Sequence, residues 1–337
     1  MSDQAPADIR ELAAARAAAR SAGDWPEADR LRARIEDAGW KVVDAGTTFR
    51  LAPTVAADRV EDGRVRYGAS ASVPSRLGEP AVDGATVVVR ATDRPDEVQR
   101  LLEGLRRHAP AGTQVVIVAD APSRGQAAAL DGPADPVLAP LEGTEPEGRP
   151  EVVWTATRLG VAGGLNAGIR RASRAVVIVL DSSVEPTGDF ITPLMGALAE
   201  PTIAIVGAWG STTTDLRRFD PSPPGDVAVV DGGLLAFRRD EVVTRGPLDE
   251  TFRTGRHLEA WWSLVLRDAG EGIAPRRAVR LADLPVVRHD EPGDEAVARA
   301  AEADSAFPTR ERGRLDKRAF YRIVDRFGRR TDLIVGP

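Results

Sequence analysis

The stretch "VVIVLDSSVEP" runs apolar from Val176 to Leu180, then turns to Asp181, two serines and Glu185. A carboxylate at the tip of a buried strand either faces a ligand crevice or closes a turn, and both roles suit Asp followed by Ser. A second segment, "RLGVAGGLNAGIRRAS" (158–173), places four glycines between a strand-like run and a helix-like one. Glycines there let backbone approach closely, and a helix start offers unpaired N–H groups to an anion; the alternative is a tight strand–helix turn. The spacing fits neither a dinucleotide fingerprint nor a P-loop, since G-x-G-x-x-G after a strand and G-K-[ST] are both absent.

These residues need a frame. "ATVVVRA", "TQVVIVAD", "EVVWTA" and "AVVIVLD" read as strands that are apolar throughout. "RPDEVQRLLEGLRRHA" is an amphipathic helix with Val98, Leu101, Leu102 and Leu105 on one face. "AGGLNAGIRRAS", "DFITPLMGALAE" and "HLEAWWSLVLRDAG" read as further helices, and "VAVVDGGLLAFRRDEV" as a strand pair leading into another. Alternating strands and helices of this kind predict an α/β fold with a mainly parallel sheet covered on both faces.

Residues 1–51 form a separate pattern of two helices, with Asp24 capping the second, and a small β-hairpin around Asp44-Ala45-Gly46. Residues 52–83 read as a linker, 84–290 as the α/β domain and 291–337 as a charged helical extension.

Composition removes several functions. The net charge is −6, so the chain as a whole is not an electrostatic nucleic-acid binder. There is no cysteine, which excludes disulfides and thiolate metal sites; any metal must use carboxylate, imidazole, hydroxyl, carbonyl or water. The N-terminus lacks the apolar core of a signal peptide, and no apolar run approaches the roughly 20 residues that span a bilayer. The expected location is cytoplasmic, with peripheral attachment to a membrane left open.

Taken in order, the segments resemble family 2 glycosyltransferases of the GT-A fold, in the rhamnosyltransferase-like branch. Gly160, Ala162, Gly163, Gly164, Asn166 and Gly168 match that branch's glycine-rich segment, while Arg158 stands where the family usually has Asn. The resemblance implies a donor nucleotide held by the turn Thr92, Asp93 and Arg94 and by Asp120, with Gly163, Gly164 and Asn166 alongside. It also implies a role in diphosphate or divalent metal (Mg or Mn) binding for Asp181. In the family's D-x-D the last acid falls on Ser183, which carries no charge and weakens a metal site unless Glu185 or Asp189 contributes. His289 falls where related enzymes often complete the metal site; a lone strand-end histidine is otherwise structural. Arg170, Arg171, Arg217 and Arg218 either neutralise diphosphate in place of a metal or form solvated faces.

Aligned on the tail of "HLEAWWSLVLRDAG", Glu259 takes the position of the catalytic base, while Leu258 and Trp261 replace two usual acids. The alternative for Glu259 is ordinary helix-start capping. Trp261 and Trp262 either stack on a sugar or pack in the core. The implied activity is inverting transfer of a sugar from a nucleotide-sugar donor to a glycan or other hydroxyl acceptor. The alternative is a degenerate GT-A domain that binds nucleotide, glycan or protein without turnover.

"ARAAARSAGDWPEADRLRARIEDAGWKVVDAGTTFRL" resembles the C-terminal tail module of cysteinyl-tRNA synthetases. That resemblance implies a contact with RNA, a partner protein or the neighbouring domain. Its arginines alternate with acids, which suits a protein contact at least as well as an RNA one.

Overall fold

A computed structural model describes residues 5–45, 48–131, 149–252, 255, 257–270, 272–289 and 309–336. The chain divides into two compact units, Met1–Arg59 and Val60–Pro337.

The first unit contains α1 (Ala7–Ser21), α2 (Trp25–Asp37) and the antiparallel pair β1 (Trp40–Ala45) and β2 (Thr48–Pro53). The Asp24 side chain accepts from the Glu27 N–H at 3.1 Å, so the expected cap forms. Ile9, Ala13 and Ile35 are buried together, with Trp40, Val42 and Leu51 packed against them.

The second unit is built on one large sheet. Its strands are β3 (Arg59–Glu61), β4 (Arg64–Tyr67), β5 (Val82–Ala91), β6 (Gln114–Ala119), β7 (Glu151–Thr155), β8 (Arg174–Leu180), β10 (Ile203–Thr212), β11 (Asp220–Pro221), β12 (Gly225–Val227), β13 (Val229–Arg238) and β14 (Arg277–Arg280). Spatial order is β12-β14-β10-β13-β8-β5-β6-β7-β4-β3, with β11 paired to β10. From β8 to β4 the neighbours are all parallel, as are β10 and β14; β13 runs antiparallel to both β8 and β10. The architecture is therefore mixed α/β with a mainly parallel central sheet. Part of the stretch 52–83 joins this sheet through β4. Two short strands, β9 (Val184–Pro186) and β15 (Val286–Arg288), form a separate antiparallel pair beside Asp181.

The helices are α3 (Pro95–His108), α4 (Arg124–Asp131), α5 (Val161–Ile169), α6 (Ile191–Leu198), α7 (Arg239–Arg245), α8 (Leu258–Arg267) and α9 (Thr309–Phe327). The four apolar residues read from the α3 periodicity are all buried. Helix α5 lies flat on the sheet: a Cβ at Gly168 would sit 2.5 Å from Val88 Cγ1 and 2.9 Å from Val118 Cγ2. A side chain there would lift the helix away, which explains one glycine of the motif by packing.

The strand pair expected from Val227 onward is instead, over Val229–Arg238, one strand with an irregularity. Between the pairs Gly207↔Leu235 and Trp209↔Asp231, β13 takes four steps where β10 takes two. Gly232 and Gly233 fall inside this bulge with φ of +80° and +85°. Consecutive left-handed residues are open to glycine with little strain, so the Gly-Gly pair is what permits the bulge.

The C-terminal helix α9 packs into the main core. Ile323, Phe327 and Leu333 are buried with the residues of α8. Arg267 donates to the carbonyls of Ala228 and Leu333, both at 2.8 Å, and Val335 bridges to Thr213. Among the described residues no helix is long and apolar enough to cross a membrane.

Candidate active site

Two carboxylates named from sequence meet at the Gly232–Gly233 bulge. Glu259, in the first turn of α8, accepts from the Gly232 N–H through Oε2 and from the Gly233 N–H through Oε1, each at 3.0 Å. Asp181, at the end of β8, donates its backbone N–H to the Gly233 carbonyl at 2.7 Å. The strand ladder carries β8 to this point, because Leu180 pairs with Leu234. Asp181 is exposed, while Glu259 keeps only partial access to solvent.

A third carboxylate completes the cluster. Asp231 precedes the bulge, and its Oδ2 accepts from the Ser211 hydroxyl across the β10–β13 ladder. Burial pushes the Asp231 carboxyl up, while the Ser211 hydrogen bond and the charges of Arg288 and Arg280 oppose the shift. For Glu259, burial is again the largest cause, with the charges of Asp231 and Asp181 added; the two backbone N–H groups only partly offset them, and its pKa rises to about 8.

Trp209 and Arg288 flank the cluster. The Arg288 guanidinium lies 5.0 Å from the Trp209 ring centroid, a cation–π arrangement. A Cβ at Gly232 would be 2.7 Å from Arg288 Nη1 and 2.9 Å from Trp209 Cβ. The site thus carries three acids, one exposed arginine and an aromatic face, brought together by β8, β10, β13, β15 and α8.

The other residues named from sequence lie in different surroundings. Ser183 is buried, and its hydroxyl and N–H both bond Asp181 Oδ1, at 2.7 and 3.0 Å. His289 donates its N–H to the Ser183 carbonyl at 2.9 Å, but its Nε2 pairs with Glu185 at 2.6 Å. Asp189 caps α6 through the N–H groups of Ile191 and Thr192. Among the described residues, no three His, Cys, Asp or Glu side chains converge to hold a metal ion. With Oδ1 of Asp181 committed to Ser183 and the His289 ring to Glu185, these side chains do not assemble a protein cage for a divalent cation.

On the expected nucleotide side, Asp120 is fully buried. Its Oδ1 accepts from Leu159 N–H at 2.7 Å and from the Thr155 hydroxyl at 3.2 Å, and its Oδ2 faces Arg90 at 3.2 Å. Asp93 is half-buried in an ion pair with Arg158, whose Nη2 reaches both carboxylate oxygens at 3.0 and 2.9 Å. Arg94 pairs with Glu97, and the Thr92 carbonyl accepts from Ser123. Gly163 and Gly164 pack closely on Leu159 and Arg90. Asn166 clamps the segment after α7, exchanging hydrogen bonds with Leu248 at 2.8 and 2.9 Å. Arg170 and Arg171 donate to the carbonyls of Val73 and Pro74, so both tie α5 to the preceding segment.

Trp261 and Trp262 are both buried. Trp262 meets Phe237 edge-on, and Trp261 packs between Phe252 and Phe327, with Arg322 and Arg326 over its ring. A groove of about 480 Å³ opens elsewhere, lined by Arg64, Tyr67, Trp154 and Arg171 among others, and it shares no residue with the carboxylate cluster.

Asp231 is the member that sequence reading passed over. Its signal was present in "DGGLLAF", an acid ahead of two glycines inside an apolar strand, which is unusual for a buried ladder.

Residues 86–241 match the family described as Glycosyl transferase family 2. Two curated relatives, each called pre-mycofactocin glycosyltransferase and each from a strain of Mycobacterium tuberculosis, are 23% identical over 251 residues, covering 68% of this chain and 47% of theirs. The chain therefore spans about half the length of these relatives. Among solved structures, a mannosyltransferase from Pyrobaculum calidifontis with GDP-Man and Mn2+ is 18% identical over 77% of this chain and 75% of that one, with a TM-score of 0.48. TarS 1–349 from S. aureus with UDP is 12% identical over 66% of this chain and 64% of that one, with a TM-score of 0.45.

Proposed function

We propose that the chain transfers a sugar from a nucleotide-sugar donor to a hydroxyl acceptor, with inversion, at the carboxylate cluster around the Gly232–Gly233 bulge. One observation carries this reading: Asp181 and Glu259, far apart in sequence, share the same two-glycine turn within a second unit whose residues 86–241 match family 2. In this reading Asp181 meets the donor near its anomeric carbon. Arg288, exposed and stacked on Trp209, offsets charge on the departing diphosphate. A carboxylate on the acceptor side removes the hydroxyl proton as the oxygen attacks.

The test is incubation of the full chain with a panel of UDP- and GDP-sugars, with and without Mn2+, following nucleotide release. Release above the buffer rate with one donor supports the reading; absence of both release and donor binding across the panel defeats it.

A second reading is a binding domain without turnover. It is favoured by the Ser183 hydroxyl occupying Asp181 Oδ1 and by the burial of Leu258 and Trp261. Saturable donor binding with no nucleotide release would select it.

A further inference from the structure

The alignment with family 2 enzymes puts the base on Glu259, but the structure gives that side chain a different task. Both its oxygens accept backbone N–H groups of one turn. Such a bidentate clasp holds the turn in place and leaves the carboxylate's best-directed lone pairs occupied. With each oxygen already accepting one N–H, Glu259 has less free accepting capacity for an incoming hydroxyl than a carboxylate held through one oxygen.

Asp231 has the opposite character. It is anchored through one oxygen only, Oδ2, by the Ser211 hydroxyl. No described residue donates a hydrogen bond to Oδ1. It directly precedes the clasped glycines, so Glu259 determines where Asp231 leaves the strand. It is partly exposed and pairs across the ladder with Trp209, on which Arg288 stacks.

We propose that Asp231 takes the acceptor's proton, and that Glu259 is a positioning residue that aims Asp231 by fixing the Gly232–Gly233 bulge. The proposal rests on the glycosyl-transfer reading given above. In the step, the acceptor O–H proton passes to Asp231 Oδ1. The oxygen's electron pair forms the new bond to the anomeric carbon. The bond from that carbon to the diphosphate oxygen breaks, with its pair leaving on the nucleoside diphosphate. The charged groups around Asp231 are Glu259 from α8, Arg280 from β14 and Arg288 from β15, with Asp181 at the end of β8 acting on Glu259; Ser211 of β10 is its hydrogen-bond partner.

The experiment uses the full chain, the same UDP- and GDP-sugar panel and water as acceptor, so no acceptor need be known. Nucleotide release is followed against pH for wild type, Asp231→Asn and Glu259→Gln, with donor affinity measured by calorimetry as the check on folding. The expected result for Asp231→Asn is a kcat about 100-fold lower or more, the scale of general-base catalysis, with donor affinity within about threefold of wild type. The acid limb of the wild-type pH profile vanishes in that variant. Glu259→Gln slows release by about tenfold and keeps the acid limb, because the base is still present but less well aimed. Asp231→Asn retaining kcat within about threefold of wild type overturns the proposal and leaves the transferase reading standing. A wild-type chain that neither binds nor consumes any donor removes both.

Discussion

Replacing Glu259 by Gln tests the electrostatics of the cluster without any substrate. The Glu259 carboxyl has an ordinary value of 4.5 and rises to about 8 in the folded chain. The folded state therefore holds this proton more tightly than the unfolded state. The resulting stabilisation is fully present below about pH 4.5, declines as pH rises, and is gone above about 8. At about 1.4 kcal/mol per pH unit, the full window corresponds to about 5 kcal/mol. Glu259 retains partial solvent access, and the Asp231 carboxyl beside it is itself pushed up, so about 2 kcal/mol is the working figure. Gln at this position keeps one oxygen for one backbone N–H and turns an amide toward the other. That mismatch destabilises by about 1–2 kcal/mol at every pH. Urea unfolding at pH 5, 6, 7 and 8, followed by tryptophan fluorescence, should show the variant less stable than wild type at pH 5. The gap should narrow steadily and level off near pH 8 at the about 1–2 kcal/mol left by the mismatch. A stability difference that stays constant across this range would show that Glu259 ionises alike in both states, and the argument from burial and neighbouring charge would be wrong.

Gly233→Ala should lower nucleotide release by more than tenfold and reduce Tm, because a left-handed φ strains alanine by about 1–2 kcal/mol and its Cβ would fall 2.7 Å from Asp181 Cβ; release at the wild-type rate would contradict this. Trp261→Ala should destabilise by about 3–5 kcal/mol, since it empties the space between Phe252 and Phe327 where α9 docks, and a Tm within a degree of wild type would refute that packing. Ser183→Asp restores a second acid next to Asp181 and should tighten Mn2+ binding by calorimetry at least tenfold; unchanged affinity would show that the turn cannot present both carboxylates to an ion.

Much of the fold was legible because its signals are local. The apolar runs of β5, β6 and β8 and the 3.6-residue periodicity of α3 need only neighbouring residues to be read, and each formed as expected. Asp24 capped α2 for the same reason. Asp181 and Glu259 were named from the order of segments, and the ladder from Leu180 to Leu234 then brought them to one turn. The glycine-rich segment was read as an anion cradle or a tight turn. Gly168 shows part of its composition to be a matter of helix-on-sheet distance, which depends on Val88 and Val118 of two other strands.

Tertiary structure alone decided the rest. The part taken by Asp231 follows from a two-residue bulge and from Ser211 on the facing strand, and strand register is set across the sheet rather than along the chain. Asp120 became a fully bonded internal carboxylate only once Leu159, Thr155 and Arg90 converged on it. Trp261 became a docking point only because α9 returns to cover it. From sequence alone came which residues could form strands, helices and acids at their ends. Which of those acids is clasped, which is internally bonded and which is held through one oxygen alone was decided by packing, because the charge and freedom of a carboxylate depend on every group that folding places around it.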